Sequence, residues 1–188
     1  EGILQGKIVV DGVERPTTNS NGKPIHGTEE GIRNFWMWFG DSKVVDKDGR
    51  PLVVYHGTKH DFTEFGKGKT GFMTKSLRTF YFSPSEEYAN TFGSKYGGVN
   101  MPVYLSIQKL KRVSHDVIED VGYWASDKQL DEFEAMGYDG LIDYKKEQIV
   151  ALHPTQIKSA TGNNGEFDPE DADIRFKIIG ERGAGNLD

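Results

Sequence analysis

Three short runs of this sequence carry side chains that can do chemistry. The first, Tyr55-His56-Gly57-Thr58, ends the apolar stretch Leu52–His56, which reads as a strand. A histidine at a strand end followed by glycine sets an imidazole beside bare backbone. A flat ligand can then approach Gly57 closely while His56 hydrogen-bonds it. A strand-end turn holding a half-buried histidine is the plainer reading of the same residues. The second run is Phe80-Tyr81-Phe82-Ser83, with Phe92 eleven residues beyond Tyr81. Side-chain alternation puts Tyr81 on the face opposite Phe80 and Phe82, so burial of those two directs Tyr81 elsewhere, toward a cleft. The third is Glu147, which follows Lys145-Lys146 at the head of Gln148–Leu152. A carboxylate in such a hairpin turn is ordinarily a solvated surface group.

The elements that must position these residues are legible in part. Thr28 reads as an N-cap, with Glu29 and Glu30 in the first turn and Ile32, Phe35, Trp36 and Phe39 at helical spacing up to Gly40. Such an aromatic face is helix core before it is a stacking platform. Phe80–Ser83 reads as a short strand, and Ser83-Pro84-Ser85-Glu86 as a capping box opening a helix from 84 to about 92, ended by Gly93. Met101–Ile107 is a further strand. Ser126-x-x-Gln129 caps a helix ending at Gly137, and Gly140–Tyr144 and Gln148–Leu152 form a hairpin. Residues 1–27, with the β-like run Lys7–Val10 and the turn signal Asp11-Gly12, read as an arm or peripheral strand. Residues 28–176 read as the domain, 177–188 as a tail, and the polar stretch 161–173 as loop. Helices precede or interrupt strands that arrive in pairs, which predicts an α+β fold and not a βαβ repeat.

Composition narrows the chemistry. The 188-residue chain has no cysteine, which removes thiol catalysis, thiolate metal sites and disulfides. His26, His60, His115 and His153 form no spaced ligand set, so no metal is expected. With 23 Lys and Arg against 29 Asp and Glu, the chain lacks a global basic footprint for nucleic acid, although a local one such as Lys67-Gly68-Lys69 is compatible with the count. No apolar run is long enough for a membrane span and no signal peptide opens the chain, so a cytoplasmic protein without a membrane partner is expected. An opening Glu1 in place of Met is expected of an excised piece.

Taken together, the His-Gly-Thr strand end, the Tyr-Phe strand before a helix and the Glu at the head of a late apolar strand resemble the His-Tyr-Glu signature of ADP-ribosyltransferases. The likeness is to the diphtheria-toxin and poly(ADP-ribose)-polymerase branch. The wider pattern is similar to domains embedded in polyvalent proteins of phages and conjugative elements. It rests on Phe35-x-x-Trp38-Phe39-Gly40-Asp41-Ser42-Lys43-Val44-Val45-Asp46, Gly49-Arg50-Pro51-Leu52-Val53-Val54-Tyr55-His56-Gly57-Thr58, Gly137-Tyr138-Asp139-Gly140, Gln156-Ile157-Lys158-Ser159-Ala160 and Asn164-Gly165-x-Phe167-Asp168. The resemblance implies a compact ADP-ribosyltransferase-like fold of split mixed and antiparallel sheets with flanking helices.

The resemblance also implies roles. His56 would hydrogen-bond the adenosine ribose of NAD, and Gly57, followed by Thr58, would offer backbone groups to the nicotinamide amide. Tyr81 and Phe92 would stack on nicotinamide. Glu147 would steady the ribose cation as nicotinamide leaves, with His56 and Tyr81 completing the catalytic set and no metal needed. Ala89 stands where the family often has a hydroxyl, for which Thr91 or Ser83 would substitute. Lys145 replaces the acidic or amide residue of the branch that modifies arginine or asparagine. The implied activity is mono-ADP-ribosyl transfer from NAD to a protein or nucleic-acid acceptor, in the manner of a toxin acting in bacteria. An NAD glycohydrolase using water and a non-catalytic NAD- or partner-binding domain remain open beside it.

Overall fold

A computed structural model describes residues 6–58, 62–65, 78–94, 98–123 and 127–175 of the chain. The expected tail 177–188 and the Lys67-Gly68-Lys69 loop lie outside these residues.

The N-terminal run pairs with itself. β1 (Lys7–Val10) and β2 (Val13–Pro16) form an antiparallel hairpin. Its turn residues Asp11 and Gly12 both have positive φ, 49° and 79°, the conformation that lets a two-residue turn match strand twist. Ile8 and Val10 point inward and, with Ile25, join the aromatic face of α1 (Glu29–Phe39) in one buried cluster. This stretch, expected as an arm or peripheral strand, is therefore packed into the core.

The first helix follows its sequence signals. The Thr28 hydroxyl accepts from the Gly31 N–H at 3.0 Å. Gly40, at φ 55°, donates its N–H back to Trp36 O. Phe35 and Phe39 are fully buried, and burying each stabilises the fold by about 1.5–3 kcal/mol. Trp36 and Trp38 are buried too, because each ring N–H finds a carbonyl, Pro16 O at 2.8 Å and Thr155 O at 3.0 Å.

Two sheets form the centre. One is antiparallel, β3 (Val54–Thr58), β5 (Val99–Leu105) and β9 (Ile157–Ser159), in the order β3-β5-β9. The other runs β4-β8-β7-β6: β4 (Phe80–Phe82), β8 (Ile149–Ala151), β7 (Gly140–Asp143) and β6 (Leu110–Val113), with β6 parallel to β7. Alternation sorts their side chains into layers. Val54, Val103, Leu105 and Ile157 meet Phe80, Phe82, Ile149 and Ala151 between the sheets. Tyr104 turns the other way, onto α1. Leu141 and Val150 turn outward onto α3 (His115–Tyr123) and α4 (Asp127–Ala135). The fold is α+β with split sheets, as expected from the sequence.

Several boundaries differ. α2 spans Glu86–Ser94, and its cap is Ser85, whose hydroxyl accepts from the Tyr88 N–H at 3.2 Å. Ser83, the expected cap, instead accepts from the Ser85 N–H, and its backbone is engaged by Tyr55. Pro84 thus precedes the helix, which runs through Gly93. β2, β6, α3 and β9 had no clear sequence signal.

The end of the polar 161–173 stretch is fastened by a buried cation. Lys158 on β9 is inaccessible to solvent, and its ammonium donates to Asp171 O at 2.7 Å and Asp173 O at 3.3 Å. Burial pushes its pKa down from 10.5 to about 8, against the pull of Asp171, Asp168 and Asp173.

Candidate active site

The two sheets touch where β3 meets β4. Tyr55 N–H donates to Ser83 O at 2.8 Å, and Ser83 N–H returns a bond to Tyr55 O at 2.9 Å. Because backbone polar groups alternate sides along a strand, Gly57 directs its N–H and C=O the same way as Tyr55. The rung that would pair Gly57 with Tyr81 is replaced by a side chain. The His56 ring Nδ1 lies 2.7 Å from Tyr81 O, and a carbonyl only accepts, so Nδ1 carries the proton. Strand pairing stops there and the sheets part.

A cavity of about 350 Å³ opens at this split, lined by His56, Gly57 and Tyr81 together with Ser83 and Tyr88. That volume lies in the usual range for a small-molecule site, about 300–1,000 Å³. The His56 ring is held edge-on against Phe65, with centroids 5.0 Å apart, and packs near Phe62 and Phe82. Tyr81 lies opposite Phe80 and Phe82, as alternation requires. Its hydroxyl donates to Ile118 O on α3 at 2.9 Å, so the ring is tethered at both ends.

The expected residues divide on this geometry. His56, Gly57 and Tyr81 line one cavity. Thr58 follows in β3 and does not line it. Phe92 is on the backbone of α2, and its side chain lies outside the described residues. Ala89 is buried and lines the cavity, leaving no hydroxyl at that point. Of the two stand-ins, Ser83 is at the cavity wall. Thr91 is exposed, with its hydroxyl on Tyr88 O.

Glu147 stands in the turn from β7 to β8, exposed, just outside the cavity wall; its neighbour Gln148 lines it. The turn is set by Asp143, whose Oδ1 accepts the Glu147 N–H at 2.8 Å and whose carbonyl accepts the Lys146 N–H at 3.0 Å. Lys146 takes φ 59° to make it. Gln148 Nε2 donates to the Tyr88 hydroxyl at 3.2 Å, tying the turn to α2. Burial raises the Tyr88 pKa, and the charges of Glu147, Asp143 and Glu119 raise it further, so its phenol stays neutral.

The structure adds two residues that the sequence did not single out. His115, the first residue of α3, lines the cavity. Asp143 is inaccessible to solvent at the end of β7, with its Oδ2 3.5 Å from His115 Nδ1. The two are 28 positions apart and meet only because β6 and β7 pair in parallel, a pairing no local pattern announced. Among the described residues, no group of three or more His, Asp or Glu side chains is arranged to hold a metal ion. No described helix is long and apolar enough to cross a membrane.

Comparison with known proteins gives one match. A family model described as ADP-Ribosyltransferase in polyvalent proteins matches residues 46–167, more than half of the chain and the whole stretch from His56 to Glu147. No curated protein and no solved structure matches.

Proposed function

As the chain belongs to the family of ADP-ribosyltransferase domains of polyvalent proteins, we propose that the cavity binds the nicotinamide half of NAD and that ADP-ribose is transferred from it to a macromolecular acceptor. The observation that carries this reading is the interrupted pairing of β3 with β4. Gly57 directs an N–H and a C=O into the gap, the complement of a carboxamide. Tyr81 supplies a tethered ring beside it for stacking.

The chemistry follows from the charges. Breaking the bond between nicotinamide and ribose returns an electron pair to the ring, cancels its positive charge and leaves the ribose cationic. Glu147 heads β8 beside the cavity, and a carboxylate whose attraction grows as the cation develops lowers the barrier. Tyr81 and Gly57 hold the leaving ring while the ribose moves toward the acceptor. His56, fixed by Tyr81 O, hydrogen-bonds the adenosine ribose through its Nε2.

The test is NAD labelled on its adenine half, incubated with the purified chain and bacterial lysate. The expected result is nicotinamide release with label on a protein or nucleic acid, lost in Glu147→Gln. Nicotinamide release without label would assign water as the acceptor. No release at all would leave a binding domain.

A further inference from the structure

Among the described residues, three buried side-chain polar atoms lack a hydrogen-bond partner, and two of them, His115 Nδ1 and Asp143 Oδ2, face each other at 3.5 Å. Buried polar atoms are nearly always paired, so facing orphans call for an explanation. Their separation is about 0.6 Å beyond an ordinary N–H···O bond. Hydrogen bonds between catalytic groups are often stretched in the free enzyme and tighten when substrate binds.

We propose that His115 is a second catalytic residue, the base that takes the proton of the incoming acceptor, with Asp143 fixing its ring. This rests on the NAD-cleaving reading of the same cavity. With Nδ1–H aimed at Asp143, the basic nitrogen is Nε2. His115 lines the cavity and is partly open to solvent, so the ring meets both the acceptor and bulk water. Glu119 Oε1 lies 3.6 Å from Nε2 and partners the proton once it has moved. The other titratable groups here are His56, whose Nδ1 is held on Tyr81 O, Tyr55 and Tyr81 in the cavity wall, Glu147 in the turn beside it, and Tyr88 on α2, which feels Glu119, Asp143 and Glu147 together and stays neutral. Asp143 is shared, with Oδ1 on the Glu147 N–H and Oδ2 toward His115. One buried carboxylate thus aligns the group that steadies the ribose cation and the group that takes the proton.

The step balances. The bond from ribose C1′ to nicotinamide breaks, with its electron pair going to the nicotinamide ring. A lone pair on the acceptor atom forms the new bond to C1′. The acceptor's proton passes to His115 Nε2 and from there to solvent.

The experiment follows nicotinamide release from NAD by the full 188-residue chain, with water alone and with added sodium azide, an anion that brings no proton to remove. His115→Gln is expected to slow the water reaction by about 10²-fold or more and to recover when azide is added. Asp143→Asn, whose amide oxygen still accepts from the Glu147 N–H, is expected to behave in the same way. Glu147→Gln should be slow with both nucleophiles, since cation stabilisation is needed by either. Water rates in His115→Gln equal to wild type would overturn the proposal and leave the NAD reading standing. A slow His115→Gln that azide fails to restore would also overturn it, because the loss would then not be a missing base. A wild-type chain that releases nicotinamide with neither nucleophile, nor with bacterial lysate as the source of acceptor, would overturn the NAD reading, and this inference with it.

Discussion

Tyr55 and Ser83 exchange two backbone hydrogen bonds, of 2.8 and 2.9 Å, and past that rung β3 and β4 separate. The separation is enforced by His56, whose ring occupies the Tyr81 carbonyl that a continuing ladder would use. A cleft at this point is therefore a property of the strand pairing itself. Removing the imidazole would let β3 and β4 zip further and narrow the cavity, whatever His56 does to a ligand.

Glu147 and the fold are separable. Its side chain is exposed, and its N–H bond to Asp143 is made by the backbone. Glu147→Gln is expected to lower turnover by about 10²–10³-fold, with Tm unchanged and KM for NAD changed little. Steady-state kinetics and a thermal melt on the same preparation check this. A fall in Tm would mean that the carboxylate serves the turn instead.

Tyr81 offers a ring and a hydroxyl that can be removed one at a time. Tyr81→Phe loses the bond to Ile118 O, a stability cost of about 0.5–1.5 kcal/mol, while NAD binding stays within a few-fold. Tyr81→Ala also loses the stacking surface. Since stacking on an aromatic ring is worth about 1–3 kcal/mol, KM should rise by about 10-fold or more. Titration of NAD against both variants distinguishes ring from hydroxyl.

Two buried groups give stability opposite slopes with pH. Lys158 has its pKa lowered by burial to about 8 from 10.5. Between those values the unfolded chain holds more protons at this site, so the penalty for burying the ammonium is lifted as pH rises. Tyr104 is pushed up to about 12 from 10.0, again by burial; the stability it confers is complete below pH 10 and lost as pH climbs through 12. In urea unfolding, the stability of Lys158→Met relative to wild type should fall from pH 8 to 10.5. Tyr104→Phe should flatten the decline above pH 10. It should also cost about 1–3 kcal/mol at neutral pH, because the Asn19 amide that bonds the phenol at 2.9 Å loses its partner.

Gly140 opens β7 where no side chain fits. A Cβ there would lie 2.6 Å from Ile107 Cγ2 and 3.1 Å from Val150 O, and Ile107 is fully buried. Gly140→Ala should cost about 1–3 kcal/mol through overpacking, a drop in Tm of about 2–12 °C for a chain of this length. Gly27, with nothing within 4 Å of its Cβ position, is the control: Gly27→Ala should leave Tm unchanged.

Much of this was readable beforehand because the signals are local. Thr28, Gly40 and the Asp11-Gly12 turn act within a few residues, and alternation through Phe80-Tyr81-Phe82 placed Tyr81 correctly. The Ser83 cap was misread because Ser83 and Ser85 offer the same hydroxyl two positions apart. The choice between them is made by Tyr55, a partner 28 positions away. β9 is a three-residue strand, too short to announce itself, and its buried Lys158 is held by carbonyls of a later loop that no local pattern names. His115 and Asp143 carried no signal, since their meeting depends on a parallel pairing. The hairpin at residues 6–16 was undervalued because the aromatic stripe that buries it lies on another element.

The β3 and β4 walls of the cleft belong to different sheets, and each sheet is finished late in the chain, one by β8 at Ile149–Ala151 and the other by β9 at Ile157–Ser159. During synthesis, which proceeds from the N-terminus at about 5–20 residues per second, His56 and Tyr81 leave the ribosome long before the strands that lock them opposite each other. A nascent or stalled chain that stops short of Ser159 thus carries half-built walls, so the capacity to handle a ligand arrives only once synthesis has passed Ser159.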